Sequence, residues 1–180
     1  MPLPSTPAPI IVTAVLAPED LAWADELRRA HFPPERNQLP AHLTLFHHLP
    51  PSALGEVKRL LSGEARMAVP PAARVARLLS LGRGVALGVE SPGLMAIRAR
   101  LAEAMQGLLT PQDSAGWRPH ITIQNKVSPS DARALLQALH KDFAARPIGI
   151  AGLALHWYRG GPWEPIVTCR FSRSGRSRHN

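Results

Sequence analysis

The sequence predicts an α+β fold built from two similar halves, and three observations lead there. First, a five-residue pattern occurs twice, as Ala41-His42-Leu43-Thr44-Leu45 and as Pro119-His120-Ile121-Thr122-Ile123. Aliphatic and polar residues alternate in each copy, which marks a strand with one buried face. Second, the spacing of the copies extends to their surroundings. The 78-position offset from His42 to His120 also carries Thr44 onto Thr122, Pro51 onto Pro129 and Ser52 onto Ser130. Upstream, an offset of 74 lays Ile11 to Leu16 near Val85 to Glu90, Pro18 on Pro92, Leu27 on Leu101 and Ala30 on Ala104. Third, each half reads strand, helix, His-x-Thr strand, helix, by the period of its apolar residues. Two sheets or lobes facing each other leave a cleft between the His-x-Thr strands.

Residues 1–9 form a proline-rich lead-in. Ile10 to Leu16 is a β-branched run and reads as a buried strand. Pro18 breaks it, and Leu21, Ala24 and Leu27 at helical spacing give a helix to about Phe32, ended by Pro33 and Pro34. A loop through Asn37 and Pro40 leads to the first motif, whose strand runs to Leu49 and is closed by Pro50 and Pro51. Ser52 reads as the N-cap of a helix carrying Leu54, Val57, Leu60 and Leu61. Beyond Pro70 and Pro71, strands over Val75 to Leu81 and Val85 to Val89 flank Gly82-Arg83-Gly84, a hairpin turn. Ser91-Pro92 supplies a hydroxyl cap and a first-turn proline to a helix striped with Leu94, Ile97, Leu101, Met105 and Leu108. The loop from Thr110 to Trp117 delivers the second motif. Ser130, followed by Asp131, reads as the cap of a helix striped with Leu135, Leu136, Leu139 and Phe143. Strands over Ile148 to Trp157 and Ile166 to Phe171 close the chain around Gly160-Gly161-Pro162, and residues 172–180, with Arg173, Arg176 and Arg178, read as a disordered basic tail.

Composition narrows the function classes. A formal charge of +8 on 180 residues favours an anionic partner, such as a phosphate ester or nucleic acid. A single cysteine, Cys169, excludes an intrachain disulfide framework and fits a reducing compartment. The apolar run Ile10 to Ala17 is too short to span a membrane, and no basic region precedes it. A soluble, cytoplasmic and monomeric protein is expected.

The motifs carry the chemistry. On a strand, His42 and Thr44 share one face, as do His120 and Thr122. Histidine gives and takes protons near neutrality. One imidazole can therefore accept a proton from an attacking hydroxyl while the other protonates the departing oxygen. Hydroxyls two residues away can hold nonbridging phosphate oxygens, an arrangement suited to a phosphodiester and above all to a cyclic one. It calls for no metal and no cofactor. If the strands stay extended, Phe46 and His48 share the face of His42, and Gln124 and Lys126 that of His120. His48 and Lys126 would then flank the cleft and attract substrate. Zinc is a rival use of His42, His47, His48 and His120, but no His-Glu-x-x-His or Cys-x-x-Cys spacing is present. His31, His140, His156 and His179 lack a partner pattern. Trp157, Tyr158 and Trp163, with Arg159, either stack on a base or close the last hairpin, Trp157 reading as core.

Paired His-x-Thr motifs in a duplicated α+β chain resemble the two-histidine (2H) phosphoesterase superfamily, and within it the 2′-5′ RNA ligase family, over about residues 10–171. The resemblance implies a single bilobal domain with pseudo-twofold symmetry, two antiparallel sheets flanking a central cleft, and helices outside. It implies metal-independent chemistry on 2′,3′-cyclic phosphates or 2′-5′ phosphodiesters of RNA ends or nucleotides. His42 and His120 would be catalytic, and Thr44 and Thr122 would bind the phosphate. His48, Lys126, Arg159 and Tyr158 are further candidate substrate contacts. The RNA ligase branch is expected to carry a basic residue five positions after the second histidine; here that residue is Asn125, with Lys126 next to it. The expectation therefore moves from ligation toward phosphodiester hydrolysis. Ligation, and a non-catalytic module that binds RNA ends in the same cleft, are the alternatives.

Overall fold

The computed structural model describes residues 7–172. Of the lead-in expected over residues 1–9 and the basic tail expected over 172–180, residues 1–6 and 173–180 lie outside them. The elements are β1 (Ile10–Leu16), α1 (Pro18–His31), β2 (Leu43–Leu49), α2 (Leu54–Met67), β3 (Ala73–Ser80), β4 (Val85–Glu90), α3 (Pro92–Ala104), the single turn α4 (Pro111–Ser114), β5 (His120–Gln124), α5 (Pro129–His140), β6 (Arg146–Ile148), β7 (Ile150–Trp157) and β8 (Glu164–Arg170).

Helix starts follow the prolines. The Ser91 hydroxyl accepts the Leu94 N–H at 3.2 Å, as Ser91-Pro92 predicts. The same logic moves the α5 cap. Pro129 takes the first helical position, so Ser128, not Ser130, accepts the Asp131 N–H at 3.1 Å. Ser52 does not cap α2, because Pro51–Ala53 first form a 3₁₀ turn and the helix begins behind it. The loop before the second motif contains α4, capped by Thr110.

The eight strands of the described residues join one antiparallel sheet in the order β6-β3-β4-β5-β2-β1-β7-β8. The two sheets expected from sequence are thus two four-stranded halves of one curled sheet, joined where β2 meets β5. Apolar residues of the strands and helices form the core on one side. Leu43, Leu45, Ile123, Val57, Leu61 and Leu94 are completely buried there, and truncating one such leucine to alanine typically costs about 2–5 kcal/mol. α1 leaves β1 but packs on β5 of the other half, beside α5 on β3 and β4, whereas α2 packs on β7 and β8. No described helix is long and apolar enough to cross a membrane.

Candidate active site

β2 and β5 pair at Leu43 opposite Ile121. Both side chains are buried in the core. One antiparallel step to either side sets His42 across from Thr122 and Thr44 across from His120, all on the face turned away from that core. Side chains directly opposite in such a pair have Cβ atoms roughly 5 Å apart. The motif residues therefore form a two-by-two patch, with the histidines on one diagonal and the threonines on the other. The ladder does not propagate, because the flanking carbonyls are taken by side chains. Trp117 Nε1 donates to the Thr44 carbonyl at 3.0 Å and Arg28 Nη1 to the Thr122 carbonyl at 2.9 Å.

Both imidazoles are oriented in the same way. His42 Nδ1 lies 2.8 Å from the Pro40 carbonyl and His120 Nδ1 lies 2.7 Å from the Arg118 carbonyl. A carbonyl only accepts, so each Nδ1 carries the proton and donates it. Nε2 is then the nitrogen each ring keeps for substrate. His42 has a further constraint, the Trp163 indole, whose ring centre is 4.6 Å from its own at a 59° tilt. Burial pushes the His42 pKa down to about 4, against the Pro40 hydrogen bond, with the Arg28 charge and the nearby His156 and His120 rings acting in the same direction. At neutral pH, His42 Nε2 therefore holds a lone pair.

The extended-strand expectation fails just beyond each threonine, and for the same reason in both copies. In β2, Thr13 faces Thr44 but Val12 faces Phe46, so Leu45 is an extra residue. In β5, Ala86 faces Thr122 but Val85 faces Gln124, so Ile123 is extra. These two bulges stand at the 78-residue offset, and each inverts the alternation that follows. Phe46 and Gln124 turn into the core instead of sharing the histidine face. Gly84 permits the second bulge, since a Cβ there would sit 2.0 Å from the Gln124 carbonyl oxygen.

His48 does not reach the patch. Its N–H and that of His47 both donate to the Asp113 carboxylate of α4 at 2.9–3.0 Å, and His47 Nδ1 lies 3.1 Å from it. Burial raises the Asp113 pKa, but the hydrogen bonds from His47 and His48 outweigh it and hold the carboxyl below the usual range. Arg98 of α3 fastens the same corner, donating to the carbonyls of Leu45 at 3.1 Å and Asp113 at 2.7 Å.

Lys126 does reach the site, by a turn rather than by strand alternation. β5 stops at Gln124, and Lys126 adopts φ +61°, its N–H donating to Asn125 Oδ1 at 2.9 Å. Lys126 and Tyr158 line a polar cavity of about 330 Å³ together with His42, Thr122, Arg28 and Arg36. Arg159 lies outside its walls, donating to Glu164 at 2.9 Å. Trp157 packs against the core, as expected.

Four participants were not singled out from sequence as belonging together. Arg28, 3% exposed, also donates from Nε to Asn37 Oδ1 at 3.1 Å and stacks on Phe32. Its signal was legible, a charged residue in register with Leu21 and Ala24 on the buried face of α1. Thr13, the polar member of a β-branched run, bonds His156 Nε2 at 3.0 Å, and Trp163 lies beside both His42 and His156. Only the fold reveals that pairing, since 143 residues separate Thr13 and His156. Among the described residues, no three His, Cys, Asp or Glu side chains converge as a metal site.

A family model described as the 2′-5′ RNA ligase superfamily matches residues 16–162. No curated protein sequence matches. Solved structures do. TT0787 of Thermus thermophilus superposes with a TM-score of 0.65 at 17% identity, covering 93% of this chain and 100% of that one. Escherichia coli LigT complexed with 3′-AMP gives 0.62 at 17% identity, covering 93% and 99%. A structure described as a phosphoesterase gives 0.61 at 20% identity, covering 93% and 99%. These likenesses establish a shared fold.

Proposed function

Because the chain belongs to the 2′-5′ RNA ligase superfamily, we propose that it is a phosphodiesterase acting on a 2′,3′-cyclic phosphate or a 2′-5′ linkage of an RNA end or nucleotide, without a metal. The observation that carries this reading is the cross-strand patch. It offers two imidazoles with free Nε2 atoms on one diagonal and two hydroxyls on the other, around the space of one phosphorus.

The neutral His42 is the base in this mechanism. Its Nε2 removes a proton from water, and the water oxygen attacks phosphorus. The bond from phosphorus to one ribose oxygen breaks as His120 Nε2 delivers a proton to that oxygen. Thr44 and Thr122 donate hydrogen bonds to the nonbridging oxygens, whose charge grows as the bond to water forms. Arg28, Arg36 and Lys126 lend positive potential from one side. Asn125, at the position where a basic residue was expected, makes the turn that brings Lys126 to the cavity. That cluster favours a substrate with a further phosphate. A nucleotide substrate also accords with the E. coli LigT crystals, which hold 3′-AMP, ATP or NADP+.

The test is hydrolysis of nucleoside 2′,3′-cyclic monophosphates and of a 2′-5′-linked dinucleotide, in the presence of a chelator. The wild type should turn over, and His42→Ala and His120→Ala should each lose about 10²–10⁴ in kcat. The product isomer would show which ribose oxygen leaves. A wild type that binds these compounds without turnover, with affinity retained in His42→Ala, would replace the enzyme reading with a binding module.

A further inference from the structure

A second cavity, of about 290 Å³, shares His42, Leu39 and Trp163 with the cationic one, so these three residues form a partition between two chambers. The chambers differ in kind. Leu16, Leu21, Ala154 and Pro165 line the second, and among the described residues no Lys, Arg, Asp or Glu does. An anion entering it would lose its hydration and meet no charge in return. A flat, uncharged ring would find apolar walls and the indole of Trp163.

One group interrupts the apolar wall. Thr13 is 4% exposed, and its hydroxyl is paired with His156 Nε2 at 3.0 Å. Among the described residues, the other nitrogen of His156 has no protein partner. Burial pushes the His156 pKa down, which keeps the ring neutral at neutral pH. A neutral imidazole fixed through one nitrogen presents a single acceptor or a single donor at the other. Thr168 adds a hydroxyl to the same wall.

The duplication says what this pair is for. Thr13 stands across from Thr44 in the first half, and the matching place across from Thr122 in the second is Ala86. The histidines and threonines of the motifs recur in both halves because a phosphate is nearly symmetric. Thr13 and His156 occur in one half only, so they serve the part of the substrate that is not symmetric.

We propose that the apolar chamber seats the heterocyclic base of the nucleotide whose phosphate lies at the His-x-Thr patch, with Trp163 against the ring and the Thr13–His156 pair reading its edge. The proposal rests on the phosphodiesterase reading and adds the location and chemistry of base recognition. The chamber lies near the lower end of small-molecule sites in size, enough for one base and not for a second nucleotide.

The experiment compares kcat/KM for the four nucleoside 2′,3′-cyclic monophosphates with that for glycerol 1,2-cyclic phosphate, which carries the reacting group and no base. The wild type should favour its best nucleoside substrate over the base-free one by about 100-fold or more, and rank the four bases unequally. In Thr13→Val, nearly isosteric with the wild type, and in His156→Gln, that preference should fall by about tenfold, while thermal melts verify folding. A wild-type preference within about threefold would overturn the proposal without any variant, and leave the phosphodiesterase reading intact. Equal rates for the four bases would overturn edge reading by Thr13 and His156. Absence of turnover on all of these and on a 2′-5′-linked dinucleotide would overturn the phosphodiesterase reading, and this inference with it.

Discussion

Trp163 is the residue through which the proton chemistry of His42 can be perturbed without touching either motif. Its indole covers the imidazole at 4.6 Å and is part of the burial that holds the His42 pKa at about 4. Trp163→Ala opens that side to water, so the pKa should rise toward the unperturbed value of about 6.5. With a pKa of about 4, roughly nine-tenths of His42 is neutral at pH 5 and able to act as base. At a fully restored 6.5, only about 3% would be neutral, so beyond the pH-independent loss of the Trp163 contact with substrate, kcat/KM should fall by up to about 30-fold more at pH 5 than at pH 8. The acid limb of the pH–rate profile should move upward in the variant, and ¹⁵N chemical shifts of the imidazole should follow it. The linkage to stability has a definite sign. Between pH 6.5 and 4 the unfolded chain binds the proton that folded His42 refuses, so this contribution to stability is lost as pH falls through that window. A wild-type His42 titrating near 6.5, or a variant whose acid limb stays in place, would refute both the burial argument and the assignment of His42 as base.

Two further predictions concern the scaffold. Asp113→Ala leaves the N–H groups of His47 and His48 without their acceptor at the distorted end of β2, which at about 1–3 kcal/mol each should lower the unfolding free energy by about 2–6 kcal/mol in urea titrations. Because the folded Asp113 pKa is depressed, the advantage of wild type over variant should persist above about pH 4 and fade as pH drops through the lower, folded value. A loss under about 1 kcal/mol would mean that these N–H groups find water. Gln124 is 7% exposed with an unpaired Oε1, and it stands where the first half has Phe46. Gln124→Leu should raise the unfolding free energy by about 1 kcal/mol; a melting temperature lowered by the change would show that the amide is needed there.

Much of the molecule was legible because local rules and tertiary needs agreed. The alternation of Leu43 and Leu45, and of Ile121 and Ile123, around polar positions correctly gave two strands with a shared outer face. Ser91-Pro92 gave a helix start, and Gly82-Arg83-Gly84 a hairpin. Failure came where a strand stopped being regular. Leu45-Phe46 and Ile123-Gln124 hold no turn residue, and a bulge closed by apolar side chains leaves no mark in a hydrophobic pattern. The core-facing Gln124 follows from that omission, and the displaced His48 from a second register shift in β2, where Val12 faces Phe46 but Ile10 faces Leu49. The pairing of Thr13 with His156 was beyond reach for another reason, since it depends on β1 lying between β2 and β7.

The crossing of the first helices bears on how such a chain arose. α1 is made beside β1 but lies on β5, where its Arg28 holds the Thr122 carbonyl; α3 is made beside β4, yet its Arg98 holds the Leu45 carbonyl of β2. The first half lends α1 to the second, and α3, which also touches β3 of its own half, reaches back to the first through α2 and Arg98. A chain carrying only one copy would have an apolar helix face and an uncovered strand, and no way to satisfy either by itself. Two such chains would satisfy both at once by exchanging helices about a twofold axis. Fusing them end to end preserves that exchange and frees the two copies to differ, as Thr13 now differs from Ala86.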